Sequence, residues 1–96
     1  MKAQLWNAEK GEYAIWCPGC NSFHALTTRA KNENGAQWRF NGNLESPTFT
    51  PSLDVDKNYP KSHCHSSITD GKIQFLEDCF HSLKGQRVEL PDITDQ

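Results

Sequence analysis

The chain has 96 residues, which is room for one domain, and only 35% of them are hydrophobic. Ten Lys and Arg against twelve Asp and Glu give a net charge of -2, which disfavours strong binding to nucleic acid. The sequence has no run of about 18 apolar residues and no apolar stretch near its N-terminus, so we expect neither a membrane span nor a signal peptide.

The first half of the chain predicts short strands separated by turns. We expect strands at residues 1–6, 12–16, 22–28 and 36–40, because apolar residues alternate loosely there and turn-forming Asn and Gly lie between them. Trp38 and Phe40 fall on one face of the last strand, which favours a place in the core. Residues 47–53 contain two prolines, which cannot donate to a sheet, so an edge strand or an irregular segment is expected.

The second half contains the clearest hairpin signal in the chain. Asp70-Gly71 separates two β-rich runs, at residues 63–68 and 72–76. A two-residue loop of this type between such runs is typical of a β-hairpin with a tight turn.

The segment after this hairpin is the only one with local helix signals. Asp78 is a candidate helix N-cap and Gly85 a candidate helix stop, which together predict one short helical turn near 78–84. Residues 87–90 predict a last strand. The fold class that follows is mostly β (small α+β), as a single metal-stabilised domain over residues 1–96.

Four Cys and four His are the strongest chemical signal in the sequence. A polar domain of this size usually needs a disulfide or a metal, because its core is small. Without an export signal we expect a cytoplasmic protein, whose thiols stay free or bind metal in a reducing environment. Zinc is therefore favoured over two disulfides, while copper and iron stay open on ligand type alone.

The sharpest motif is Cys17-Pro18-Gly19-Cys20. A tight Pro-Gly turn between two thiolates forms a knuckle that supplies two corners of a tetrahedral zinc site. The strands predicted on either side make the segment similar to a zinc-ribbon hairpin. A redox pair is the alternative interpretation, but such a pair is typical of a strand followed by a helix, which this segment does not predict.

Cys64 and Cys79 are the preferred second pair of ligands. With Asp70 near the tip of the hairpin, pairing places residue 64 opposite about residue 76, so that both thiols lie at its open end. The alternative ligands, each a short step from a Cys, are His24, His65 and His81. Since neighbouring residues in a strand point to opposite faces, His65 is not expected to bind the same ion as Cys64. A closed site of four thiolates is favoured over an open one that keeps a water.

The order of the motifs resembles a known family. The segments WCPGCNSFH, WRFNGNLESPTFTPS and CHSSITDGKIQFLEDCFHSLKGQRVELPD are similar to small phage and prophage proteins, often carried under the label "ammonia monooxygenase". Broader relatives are similar to a metal-chelating domain found near bacterial ubiquitin-like conjugation genes. The resemblance implies a phage or prophage setting in the bacterial cytoplasm and the same Cys and His positions, but no reaction. The oxygenase label would require membrane spans, which this sequence lacks.

Three functions are consistent with these features. The first is a zinc-binding protein-interaction module whose partner is a host or phage protein, such as a host defence or regulatory factor; the slight acidity suits a protein partner. The second is a small zinc hydrolase with an open metal position, in which His65 or His81 acts with Asp70 or Asp78. The third is a nucleic-acid-binding zinc ribbon that uses Trp38, which the charge balance disfavours.

Overall fold

The computed structural model describes residues 1–93, so the last three positions of the expected domain lie outside the described residues. Eight strands form two antiparallel sheets, which confirms the mostly β fold class. The strands are β1 (Gln4–Asn7), β2 (Glu12–Cys17), β3 (Ser22–Thr27), β4 (Arg39–Phe40), β5 (Phe49–Val55), β6 (Cys64–Thr69), β7 (Lys72–Phe75) and β8 (Arg87–Glu89). No helix within residues 1–93 is long and apolar enough to cross a membrane.

The first sheet has three strands in the order β1-β2-β3. Strands β2 and β3 form a regular hairpin whose register runs from Glu12 opposite Thr27 to Cys17 opposite Ser22. The four residues 18–21 make the connection, so the predicted Pro-Gly turn lies at one end of this hairpin.

The second sheet has five strands, and their spatial order follows the chain from β4 to β8. The predicted hairpin is its centre: Thr69 of β6 pairs with Lys72 of β7 across a two-residue turn. Asp70 and Gly71 in that turn have φ values of 51° and 77°. Two successive positive φ values are typical of a type I′ turn, whose twist matches that of the strands.

Strand β5 differs from the expected edge strand, because it lies between β4 and β6. Its pairing with β6 is irregular between Phe49 and Leu53, and Pro51 lies inside this irregular segment. The missing N–H of proline therefore costs no regular ladder bond. Strand β4 has only two residues, so it pairs with β5 along only a short part of the length of β5.

The helical turn expected near 78–84 is a series of separate turns instead. The amide of Cys79 donates to the carbonyl of Leu76, and that of Lys84 donates to His81. The amide of Phe80 donates across to the carbonyl of His63. Because these donors bond within tight turns or to a neighbouring segment, no helical hydrogen-bond series forms.

The core combines side chains from both sheets. Ile15 and Leu26 of the first sheet are fully buried, as are Ile73 and Phe75 of the second. The same cluster contains three cysteines, Cys17, Cys64 and Cys79. Trp38 is also buried in it, and its indole N–H donates to the carbonyl of Ser52. The small core is therefore continuous with the thiols that the sequence assigned to a metal.

The type I′ turn makes a specific prediction for Gly71→Ala. A Cβ at this position would lie 3.3 Å from the backbone Cα of Ser46, in addition to the strain of a positive φ. Gly42→Ala is the matched control, since Gly42 also has a positive φ but has no atom within 4 Å of such a Cβ. We expect Gly42→Ala to lower the free energy of unfolding by about 1 kcal/mol and Gly71→Ala by roughly 2 kcal/mol, measured by urea unfolding. Equal losses in the two variants would contradict the close approach of the turn to residue 46.

Candidate functional site

The Cys17–Cys20 knuckle forms as the motif predicts. Strand β2 ends at Cys17, and the chain turns back so that the amide of Asn21 donates to the carbonyl of Cys17 at 2.8 Å. The amide of Cys20 donates to the Cys17 sulfur at 3.3 Å. Amide donors around a sulfur stabilise its thiolate form, which is the form that binds metals.

Four donor atoms converge beside this knuckle. The ligand atoms of Cys17, Cys20, Cys64 and His81 all lie within 4.8 Å of one another. The sulfurs of Cys17 and Cys64 are 4.0 Å apart, and Nε2 of His81 lies 3.5 Å from the Cys64 sulfur. Tetrahedral zinc with bonds of about 2.3 Å to sulfur and 2.05 Å to nitrogen would separate these pairs by about 3.8 and 3.6 Å. The donor set therefore fits an ion of the zinc type, and soft thiolate ligands also suit some other metals.

The charge state of the cluster is set by hydrogen bonds among its thiols. A hydrogen bond from Cys64 is the main cause that lowers the pKa of Cys17 to about 3, and the ring of His24 contributes. The pKa of Cys64 is raised by the same hydrogen bond, and burial raises the pKa of Cys20 to about 12. The amide of Leu83 lies 3.2 Å from Nδ1 of His81, and Nε2 of the same ring faces the thiols. The thiols must lose their protons to bind a metal ion, and metal binding is therefore weakened by acid.

The fourth member of this group is His81, whereas Cys79, the ligand preferred from the sequence, is not in it. The Cys79 sulfur instead lies against the main chain of His65, 3.2 Å from its nitrogen and 3.0 Å from its oxygen. The physical reason is the turn at residues 76–79, which directs this side chain back toward β6. The buried His24 is not in the four-donor group, although it is close enough to affect Cys17.

Gly19 of the knuckle is required by the position of His81. A Cβ at residue 19 would overlap the imidazole ring. The φ of Gly19 is not in the left-handed region, so the constraint is steric and not conformational. The Pro-Gly pair therefore closes the turn and also leaves space for the fourth donor, which comes from the other end of the chain.

A second group of polar side chains lies on the other face of β6. The hydroxyl of Ser52 is 3.1 Å from Nε2 of His65, and Nδ1 of His65 is 3.2 Å from the Asp78 carboxylate. Ser52 lies on β5, His65 on the neighbouring β6, and Asp78 in the turn after β7. Both nitrogens of one imidazole are thus engaged, one by a hydroxyl and one by a carboxylate. This is the arrangement of a Ser-His-Asp catalytic triad.

The candidate residues named from the sequence lie in different parts of this arrangement. His65 is outside the metal cluster, as strand alternation predicts. Asp70 lies in the β6–β7 turn, at the opposite end of β6 from His65, where its amide donates to Thr48. The serine was not among the expected catalytic residues, because the pairing of β5 with β6, which brings it to His65, is not visible in a local motif.

The surroundings of the triad are polar and open to solvent. Asp54 lies opposite His65 in the β5–β6 register, and its carboxylate is 2.5 Å from Nε2 of His63. The rings of His63 and His65 stack with centroids 6.2 Å apart. A cleft of about 720 Å³ reaches Ser52 and is lined also by Trp38 and the loop after β5. The lining of this cleft includes Ser52 but neither His65 nor Asp78.

Residues 2–76 match the family described as bacterial ubiquitination-like system serine protease (BubE). The chain belongs to the BubE family. No curated protein and no solved structure matches the chain. The BubE match includes Cys17, Cys20, Ser52 and His65 and ends before Asp78. It agrees with the expected link to ubiquitin-like conjugation systems of bacteria, whereas the phage setting stays a prediction.

Loss of a buried thiolate ligand should remove the metal and the fold together. We expect one equivalent of zinc in the wild-type protein, and loss of the metal with unfolding in Cys17→Ser and in Cys64→Ser. Zinc binding contributes about 10–16 kcal/mol to folding in small zinc domains, which is comparable to the whole net stability of about 5–15 kcal/mol of a typical domain. Metal analysis and thermal melting test this expectation. Melting curves that neither substitution nor a chelator changes would contradict it.

The steric role of Gly19 gives a finer prediction. Gly19→Ala should displace His81 and weaken zinc affinity by roughly 10- to 100-fold, as loss of support for a ligand commonly does. Pro18→Ala is the control, because it changes the same turn without adding a Cβ beside the imidazole. Competition with a chromophoric chelator measures both affinities. Equal affinities in the two variants would contradict the expected displacement of a His81 ligand.

Proposed function

We propose that this chain is a serine peptidase of a bacterial ubiquitination-like system and that its metal centre is structural. The observation that carries the proposal is the pair of hydrogen bonds from Ser52 to His65 and from His65 to Asp78. The family description, which names a serine protease, supports the same reaction. The general geometry of the three groups, not their order along the chain, is what identifies such a triad.

The proposed reaction proceeds in two steps. The Ser52 hydroxyl oxygen attacks the carbonyl carbon of the scissile bond while Nε2 of His65 takes the hydroxyl proton. His65 then gives this proton to the leaving amine as the carbon–nitrogen bond breaks, leaving an acyl ester on the serine. A water molecule, deprotonated by His65, hydrolyses the ester and restores the hydroxyl. Asp78 holds the imidazole orientation and stabilises its charged form.

The donor set favours a structural metal over the alternative of a zinc hydrolase. Four protein donors complete a tetrahedron, whereas catalytic zinc sites usually have three protein ligands and a water. The cluster is also largely buried, with Cys17 and Cys64 fully inaccessible. An ion held there would join the β2–β3 knuckle to β6 and to the segment after β7.

The expected role in protein binding is part of the same proposal, since a peptidase of such a system acts on a protein. We propose as substrate a polypeptide of the ubiquitination-like system, cleaved at a peptide or isopeptide bond in the bacterial cytoplasm. A host or phage protein remains the proposed partner. The net charge of -2 disfavours nucleic acid as the substrate.

A fluorophosphonate probe tests the nucleophile without knowledge of the substrate. We expect zinc-loaded wild-type protein to form a covalent adduct on Ser52, with loss of fluoride, and Ser52→Ala to form none. Ser67→Ala is the matched control, because Ser67 lies two residues from His65 on the same strand and should leave labelling unchanged. His65→Ala should reduce the labelling rate by roughly 10⁴-fold or more. An adduct that maps to another residue, or no adduct in folded wild-type protein, would overturn the proposal.

A further inference from the structure

Cys79 makes two hydrogen bonds to the main chain of one residue, His65. The amide of His65 donates to the Cys79 sulfur at 3.2 Å, and the Cys79 thiol donates to the carbonyl of His65 at 3.0 Å. Cys79 is only 5% exposed, so water does not compete for these bonds. A buried thiol that bonds to both the N–H and the C=O of one residue fixes the position of that residue.

The bond from the His65 amide to the sulfur replaces a sheet bond that ends at this point. The last regular pair of β6 and β7 is Ser66 with Phe75, and the next amide, of Leu76, still donates to His65. The carbonyl of Leu76, which would accept from His65 in a continued ladder, accepts instead from the amide of Cys79. The His65 amide would therefore lose its partner if the sulfur were absent. The thiol completes the sheet at the position where β7 turns away.

We propose that Cys79 is a positioning residue of the triad, which holds His65 at the correct distance from Asp78. The proposal rests on the proposed peptidase function. Asp78 directly precedes Cys79, so one pair of adjacent residues provides the carboxylate that contacts the His65 ring and the thiol that holds the His65 main chain. The imidazole and the carboxylate are thereby positioned by the same turn. This role differs from the metal ligation that the sequence suggested for Cys79.

Two substitutions separate this role from the others. Cys79→Ala removes both hydrogen bonds, whereas Cys79→Ser keeps a donor and an acceptor at the same position. Both variants should retain one equivalent of zinc, because neither removes one of the four donors. We expect Cys79→Ala to lower the rate of fluorophosphonate labelling at Ser52 by roughly 10- to 100-fold, and Cys79→Ser to restore at least a part of that rate.

Amide hydrogen exchange at His65 reports the contact itself, independently of labelling. The amide should exchange faster in zinc-loaded Cys79→Ala than in the wild type and slowly again in Cys79→Ser. All rates are measured well below the melting temperature of each variant, so that a general loss of stability does not contribute. Faster exchange together with slower labelling is the result that supports the proposal.

Three results would overturn it. Loss of zinc from both variants would show that Cys79 is a metal ligand. A wild-type labelling rate in folded Cys79→Ala would show that the thiol has only a structural role, while the proposed function would stand. No labelling of folded wild-type protein would overturn the proposed function and this inference with it.

Discussion

The structure depends on the alternation of side chains along β6. Adjacent residues of a strand point to opposite faces, and Cys64 and His65 are adjacent. Cys64 points into the core, where it meets two thiols of the knuckle and the ring of His81. His65 points to the other face, where it meets Ser52 and Asp78. The candidate metal centre and the candidate catalytic centre are therefore formed on the two sides of a single strand.

The segment after β7 completes both sides within six residues. Asp78 contacts the ring of His65, Cys79 contacts the main chain of His65, and His81 joins the thiols. An ion bound to Cys64 and His81 would fix this segment against β6, and in the proposed peptidase it would thereby support Asp78 without contact with substrate. A domain with a core as small as this one needs a stabilising cross-link such as a bound metal.

The fold was largely predictable where local chemistry decides it. The Asp70-Gly71 turn and the Cys17–Cys20 knuckle both formed as expected, because backbone preferences of a few residues determine them. The position of β5 was not predictable from its prolines, since an irregularity in pairing accommodates Pro51 inside the sheet. Long-range pairing decided that outcome.

The candidate site was also predictable only where local motifs determine it. Three of the four donors, Cys17, Cys20 and Cys64, agree with the expected set, and His81 was an alternative in it. His81 and not Cys79 belongs to the group because of the way in which the chain turns after residue 76. Ser52 has no local signal, because only the β5–β6 register brings its hydroxyl to His65.

The central claim is that the metal is enclosed on one face of β6 while the chemistry takes place on the other. A crystal structure of fluorophosphonate-treated protein, with anomalous data at the zinc edge, tests both halves in one measurement. We expect one ion bound by Cys17, Cys20, Cys64 and His81 with no water ligand, and a phosphonate bonded to Ser52. An ion with a water ligand, and an unmodified Ser52, would contradict it.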